Sequence, residues 1–334
     1  MKYIKINDLK PGMVLALTLY DNHENILLKA NRELNTFFIN KIKSYNFDGL
    51  YVYEDNTISI QPTIISEETR IKTLKELKHI NVDNCLYLAN EILEEIKSNP
   101  SMIVEMINLS SYDNYTYMHS INVDILSVII GIGLGFKDEE LKQLSQAALL
   151  HDIGKTCLPI DILNKPGKLT PEEFEEIRKH PMYGYNLLKD NHNISSVVRN
   201  AVLSHHENED GSGYPRNLKS DKIHTFAKII HIADVYDALT AKRVYKDAYS
   251  PADALEYLMS KADTMFDPKI IEVFMKYVAL YPIGTSVLLS NGKSATILRN
   301  HRTCLSRPIV MLSDGTTIDL LKNLDITITK HLTT

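Results

Sequence analysis

The chain has 334 residues, 44% of them hydrophobic, with a net charge of -5 and a pI of about 6.2. That length suits one large domain with small appendages, or two domains, and allows a sizeable core. The acid-leaning balance argues against a general binder of nucleic-acid polymers, and the longest apolar run, Ile125 to Phe136, is interrupted by glycines and too short to span a bilayer.

The first 63 residues read as a small α/β module. LKPGMVLALTLYD and NILLKAN alternate as strands around the turn-rich DNHEN. ELNTFFINKIKSYNF has helical spacing, with Leu34, Phe37, Phe38, Ile42 and Tyr45 on one side, and GLYVYED alternates again as a strand. From 64 to 282 the pattern is helical almost throughout. NVDNCLYLANEILEEIKSN repeats apolar positions at three and four. Thr170-Pro-Glu-Glu is a helix start with a capping hydroxyl and a first-turn proline, and DPKIIEVFMKYVAL is an Asp-capped amphipathic helix. Cys157 to Leu169, with Pro159 and Pro166-Gly167, reads as a loop. At 283–334 the period changes. Asn291-Gly292 and Asp314-Gly315 each separate alternating segments, the signature of hairpins, so a small β appendage is expected. The expected fold class is mainly α: a helical core flanked by an N-terminal α/β module and a C-terminal β appendage.

Cys85, Cys157 and Cys304 sit at no ligand-like spacing and read as reduced thiols. The N-terminus has no continuous apolar core of a secretory leader. A cytoplasmic protein without a membrane segment is the expectation.

Polar residues interrupt the apolar helices in an unusual way. His119 lies in YTYMHSINV, His151 and Asp152 in ALLHDIGK, His180 opens HPMYGYNLL, His205 and His206 follow AVLS, and Asp234 sits in IIHIADVYDAL. A lone histidine in such a place is more often a core or capping residue, the reading kept for His23, His79, His192, His224, His231, His301 and His331. A carboxylate inside an apolar helix is costly unless paired. One metal cluster accounts for these groups more economically than separate accidents. Imidazole with carboxylate suits a first-row ion such as Fe, Mn, Zn or Ni. Seven groups are about right for two ions if one carboxylate bridges. Two close ions polarise a phosphoryl group and generate hydroxide from water near neutral pH. Lys155, one turn beyond His151, can add positive charge on the same side, or be an ordinary exposed helix lysine.

HDIGK, HHENEDGSGYP and IADVYDALTAKRVYK together resemble the signature blocks of the HD-GYP family, a subgroup of the HD phosphohydrolases. The resemblance runs from about 113 to 278 and implies an all-helical HD-type core that degrades cyclic di-GMP. It implies that His119, His151, Asp152 and Asp234 hold one metal. Asp152 would bridge to a second, also held by His180, His205 and His206. Two divalent ions are implied, iron with manganese as alternative. It further implies that Lys155 contacts the scissile phosphate and that Arg243 and Lys246 contact the dinucleotide. Tyr214 would line the pocket, with Asp237 a polar position near it. Two departures stand out. Tyr115 occupies the place of a Glu that supports a third metal in some members, and Asn208 replaces a common Arg.

The implied reaction is hydrolysis of the 3′-5′ phosphodiester to pGpG, with GMP as a further product. Two rival readings remain open: a hydrolase of another cyclic dinucleotide such as cyclic GMP-AMP, and a weakly active scaffold that binds the dinucleotide and signals. A homodimer, and signalling partners at the GYP turn or flanking modules, are compatible with either.

Overall fold

A computed structural model of the chain describes residues 2–16, 18–20, 26–45, 47, 49–53, 64–99, 115–163, 165, 167–241, 249–301 and 303–332. The fold divides into two compact units, Met1–Thr63 and Ile64–Thr334.

In the first unit, strand Lys2–Lys5 pairs antiparallel with Gly49–Val52, and Leu19–Tyr20 pairs with Ile26–Leu28. Asn35 caps helix Thr36–Lys43 by accepting from Phe38 N at 2.8 Å. The helix therefore starts after Leu34, and its apolar stripe is shifted from the expected one. Ile39 and Ile42 are buried, whereas Phe37 is 68% exposed. Leu15, Leu34, Leu50 and Val52 complete this small core.

The second unit is built around helix Tyr115–Gly133, which packs against Val82–Ser98, Asp138–Leu150 and Thr225–Thr240. Its interior is aliphatic, with Ile121, Leu126, Ile129, Leu144, Val202 and Ile230 fully buried. Helix starts carry the side-chain acceptors that orphan N–H groups require. Ser195 caps Ser196–Ser204, and Asp267 caps Pro268–Phe274. The expected Thr170 start is present as a capping box: Thr170 Oγ1 accepts from Glu173 N, and Thr170 N donates to Glu173. The stretch expected as a loop differs in part. A 3₁₀ turn covers Ile153–Cys157, and one helical turn, Ile160–Leu163, follows Pro159. Pro159 stands at the helix entrance, where a missing N–H costs nothing and its carbonyl accepts from Leu163.

The C-terminal strands form a five-stranded antiparallel sheet in the order Thr317–Asp319, Cys304–Leu312, Ser294–His301, Ser286–Leu289, Ile328–His331. Gly292 and Gly315 take the positive φ that the two expected hairpin turns demand, 79° and 83°.

Candidate metal centre

Helix ends converge on one place. His151 closes helix Asp138–Leu150, and Asp152 opens the 3₁₀ turn beyond it. His180 opens helix His180–Leu188, and His205 closes Ser196–Ser204, with His206 next. His119 lies near the start of Tyr115–Gly133, and Asp234 within Thr225–Thr240. Gly154 permits this approach. A Cβ there would strike the His180 carbonyl and the Gly184 backbone, so the glycine of HDIGK sets the distance between Asp152 and His180.

Asp152 faces two sets of imidazoles, one oxygen each. Its Oδ2 lies 3.3 Å from His151 Nε2 and 3.8 Å from His119 Nε2. Its Oδ1 lies 3.2 Å from His180 Nε2 and 3.9 Å from His205 Nε2. Asp234 Oδ1 is 3.0 Å from His119 Nε2, and its Oδ2 is 3.8 Å from His206 Nδ1. The ligand atoms of His119, His151 and Asp152 lie within 4.8 Å of one another, and so do those of His180, His205 and His206. All seven groups expected from the sequence are therefore brought together.

Three rings are aimed by one device. His151, His180 and His205 donate Nδ1–H to the carbonyls of Ala148, Ile177 and Val202, at 2.8, 2.8 and 2.7 Å. A carbonyl only accepts, so the proton sits on Nδ1 and the Nε2 lone pair points inward. His119 uses another device: its Nδ1 bonds Asp237 Oδ2 at 2.6 Å, and Asp237 Oδ1 accepts from Asn122 Nδ2 at 2.9 Å. Asp237 is 2% exposed. These contacts set Asp237 beside His119, where a carboxylate can orient a ligating imidazole; the resemblance implies a polar position near the pocket.

Electrostatics prepare the donor set. Burial pushes Asp152 up, but His151, Lys155 and His180 together hold it well below the carboxylate range. Burial likewise raises Asp234, and His119, His206 and His151 bring it well below that range. His205 and His206 are held neutral by burial and by neighbouring imidazoles. Burial disfavours the His119 cation, yet Asp234 and Asp237 raise it to about 10. A metal cation beside Asp234 would substitute for that proton. Among the described residues, buried His151 Nε2 and Asp152 Oδ1 have no hydrogen-bond partner. Aimed lone pairs without a donor, ionised carboxylates and neutral imidazoles fit a divalent ion. Lys155 Nζ sits 2.5 Å from Asp152 Oδ2, on the side anticipated from its spacing.

The loop after His206 forms the rim. Ser212 N donates to Asp210 Oδ1 at 2.8 Å, and Gly211 has φ of 86°. A Cβ at Gly213 would strike backbone atoms of His206 and Asn208. Asn208 Nδ2 donates to Ser212 Oγ at 2.9 Å, which accounts for it as a brace of the turn. Tyr214 then stacks on His206, centroids 4.7 Å apart at 26°. Sequence reasoning missed Glu207, which is 2% exposed and accepts from Arg216 N and Leu218 N at 2.7 and 2.8 Å. It also missed Asn122 and Arg178. The signal for Asn122 was its position one turn beyond His119; that for Glu207 was a carboxylate directly after a ligand pair. Arg243 and Lys246 lie outside the described residues, as does the side chain of Tyr115. His224 caps its helix by accepting from Phe226 N, His231 donates to the Glu207 carbonyl, and His301 pairs with Asp319. His224 and His231 follow the capping and core readings, whereas His301 is a partly exposed strand residue held by Asp319.

The HD domain family model matches residues 102–270. The chain is similar to a cyclic di-GMP phosphodiesterase of Pseudomonas aeruginosa, 38% identical over 67% of this chain and 54% of the relative. It is also similar to a 3′3′-cGAMP-specific phosphodiesterase of Vibrio cholerae, 39% identical over 43% of this chain and 28% of the relative. The chain thus spans about half, or less, of the curated relatives it matches. Its fold is similar to that of an HDG"Y"P protein from Bdellovibrio bacteriovorus, with a TM-score of 0.55 at 19% identity, over 82% of this chain and 97% of that one. Among the described residues, no helix is long and apolar enough to cross a membrane.

Proposed function

The chain belongs to the HD domain family, and we propose that it is a metal-dependent phosphodiesterase that hydrolyses cyclic di-GMP to pGpG, with GMP as a further product. The observation that carries this reading is Asp152, which offers one oxygen to each of two histidine sets. His119, His151, Asp152 and Asp234 are proposed to hold one ion. Asp152, His180, His205 and His206 are proposed to hold the other, iron with manganese as alternative. Bound divalent ions supply Lewis-acid polarisation of the phosphoryl oxygens and lower the pKa of water.

The protein's own groups do the rest. Water adds to phosphorus, the P–O3′ bond breaks, and the 3′ oxygen leaves with a proton. Lys155, fixed on Asp152 at 2.5 Å, places a positive charge where the transition state gathers negative charge. Asp237 orients His119. Tyr214 forms the pocket wall, and Arg243 and Lys246 are proposed to bind the dinucleotide. Residues 1–63, 64–282 and 283–334 are proposed as accessory module, catalytic region and β appendage, in a bacterial cytoplasmic protein that pairs as a homodimer.

Anaerobic metal analysis with a product assay tests the reading. His151→Ala or Asp152→Ala should abolish turnover and lower metal content. Wild-type turnover by either variant would sink it. The 3′3′-cGAMP-specific Vibrio relative keeps one second reading in play, hydrolysis of the hybrid cyclic GMP-AMP. Matched turnover on both dinucleotides separates the two.

A further inference from the structure

Arg178 stands where helix Pro171–Ile177 ends, two residues before His180. Its guanidinium carbon lies 4.7 Å from the centroid of the Tyr214 ring. The same ring stacks on His206, a member of the centre. Arg178 is therefore one aromatic ring removed from a ligand, on the rim. Its side chain keeps 30% of its exposure, and its ion-pair partner among the described residues is Glu175, 2.7 Å away and 62% exposed. Water screens such a pair, so it contributes little and gives way readily to a stronger anion. Lys155 differs, because its ammonium is held against the 3%-exposed Asp152 side chain.

A cyclic dinucleotide carries two phosphates. Asp152 and Lys155 serve the one that is cut, and the other calls for a cation at the rim, in addition to the contacts proposed for Arg243 and Lys246. A guanidinium seated over an aromatic ring has five N–H donors, and those not turned to the ring suit a phosphate bidentately. We propose that Arg178 binds the second, uncut phosphate of the dinucleotide, with Tyr214 as its platform. The inference rests on the reading of the chain as a cyclic dinucleotide phosphodiesterase and makes Arg178 a residue that selects two-phosphate substrates over single diesters.

The test compares cyclic di-GMP with bis(p-nitrophenyl) phosphate, which has one phosphodiester, on full-length protein loaded with metal. Arg178→Ala should raise KM for cyclic di-GMP at least about ten-fold more than KM for the single diester, because a charge-assisted phosphate contact is lost. The kcat for cyclic di-GMP should fall far less than KM rises. Arg178→Lys, which keeps charge but not the planar fork, should lie between. Equal losses on both substrates would make Arg178 a mere prop for Tyr214 and overturn the inference, as would an unchanged KM for cyclic di-GMP. Wild-type protein that cleaves the single diester but not cyclic di-GMP would overturn the proposed function and this inference together. Wild-type turnover of cyclic di-GMP with no selective effect in Arg178→Ala would overturn the inference alone.

Discussion

Asp152 and Asp124 are both buried in the same helical unit, 4% and 0% exposed, and they meet opposite fates. Around Asp152 stand His151, Lys155 and His180, and the carboxyl is held well below its usual range. Asp124, in the middle of helix Tyr115–Gly133, has neither oxygen hydrogen-bonded among the described residues. The Ser145 hydroxyl, which offers weak relief, donates instead to the Ala89 carbonyl at 2.9 Å. Burial therefore pushes Asp124 well above its ordinary value, toward the neutral acid. The same low-dielectric interior favours an anion where an ammonium and imidazoles converge and the neutral acid where they do not. Glu207 shows a third solution, since its two oxygens take backbone N–H donors from Arg216 and Leu218.

The sharpest way to break the comparison is to remove the charge and keep the shape. Asp152→Asn should lose at least about a thousand-fold in turnover, as expected when charge stabilisation at the reacting phosphate is removed, and should bind less metal. Elemental analysis separates loss of metal from loss of chemistry alone. If the variant bound a full complement of metal, the carboxylate would not be the element that joins the two histidine sets.

Next in size is Asp237→Asn. The amide still fits between His119 and Asn122 but no longer carries the charge that orients the imidazole. Metal affinity should drop by roughly 10- to 100-fold, read by competition with a chelator. Full activity should return when metal is supplied in excess. A kcat that stays low at saturating metal would mean that Asp237 acts on the substrate instead.

Glu207→Gln should have a smaller effect. Gln can accept only on its one oxygen, so either Arg216 N or Leu218 N loses a buried acceptor, at a cost of about 1–3 kcal/mol. The loop that presents Tyr214 should loosen, raising KM several-fold while metal content stays constant. A variant that lost metal as well would show that the loop braces His205 and His206, not only the rim.

Legibility in the sequence followed the range of the interactions. Helix caps, hairpin turns and the seven-residue donor set are local patterns or repeated anomalies in apolar segments, so Thr170, Gly292 and His151 could be read directly. The i−3 carbonyl that aims each of three histidines is also local, because each sits at or just past a helix end. What stayed hidden crosses the fold. Asp237 meets His119 from 118 residues away, and Arg178 meets Tyr214 through a loop whose path no period reveals. The Phe37 phase error came from counting Leu34 as helical, although Asn35 caps the helix after it.

The smallest effect on activity belongs to Asp124→Asn, and it isolates the other half of the comparison. Asp124 ionises at about 3.8 in the unfolded chain but well above that in the fold. Stability from this group is thus fully present below the unfolded value. It is lost as pH rises toward the folded one, by about 1.4 kcal/mol per pH unit at most. Asn has nearly the same shape as the neutral acid and does not titrate. The variant should match wild type in turnover and metal content, unfold with a flatter dependence on pH, and gain on wild type as pH rises from 5 to 8. Denaturant melts across that range measure the difference directly. Parallel curves for the two proteins would mean that Asp124 is charged in the fold and has found a cation after all, which would erase the contrast with Asp152.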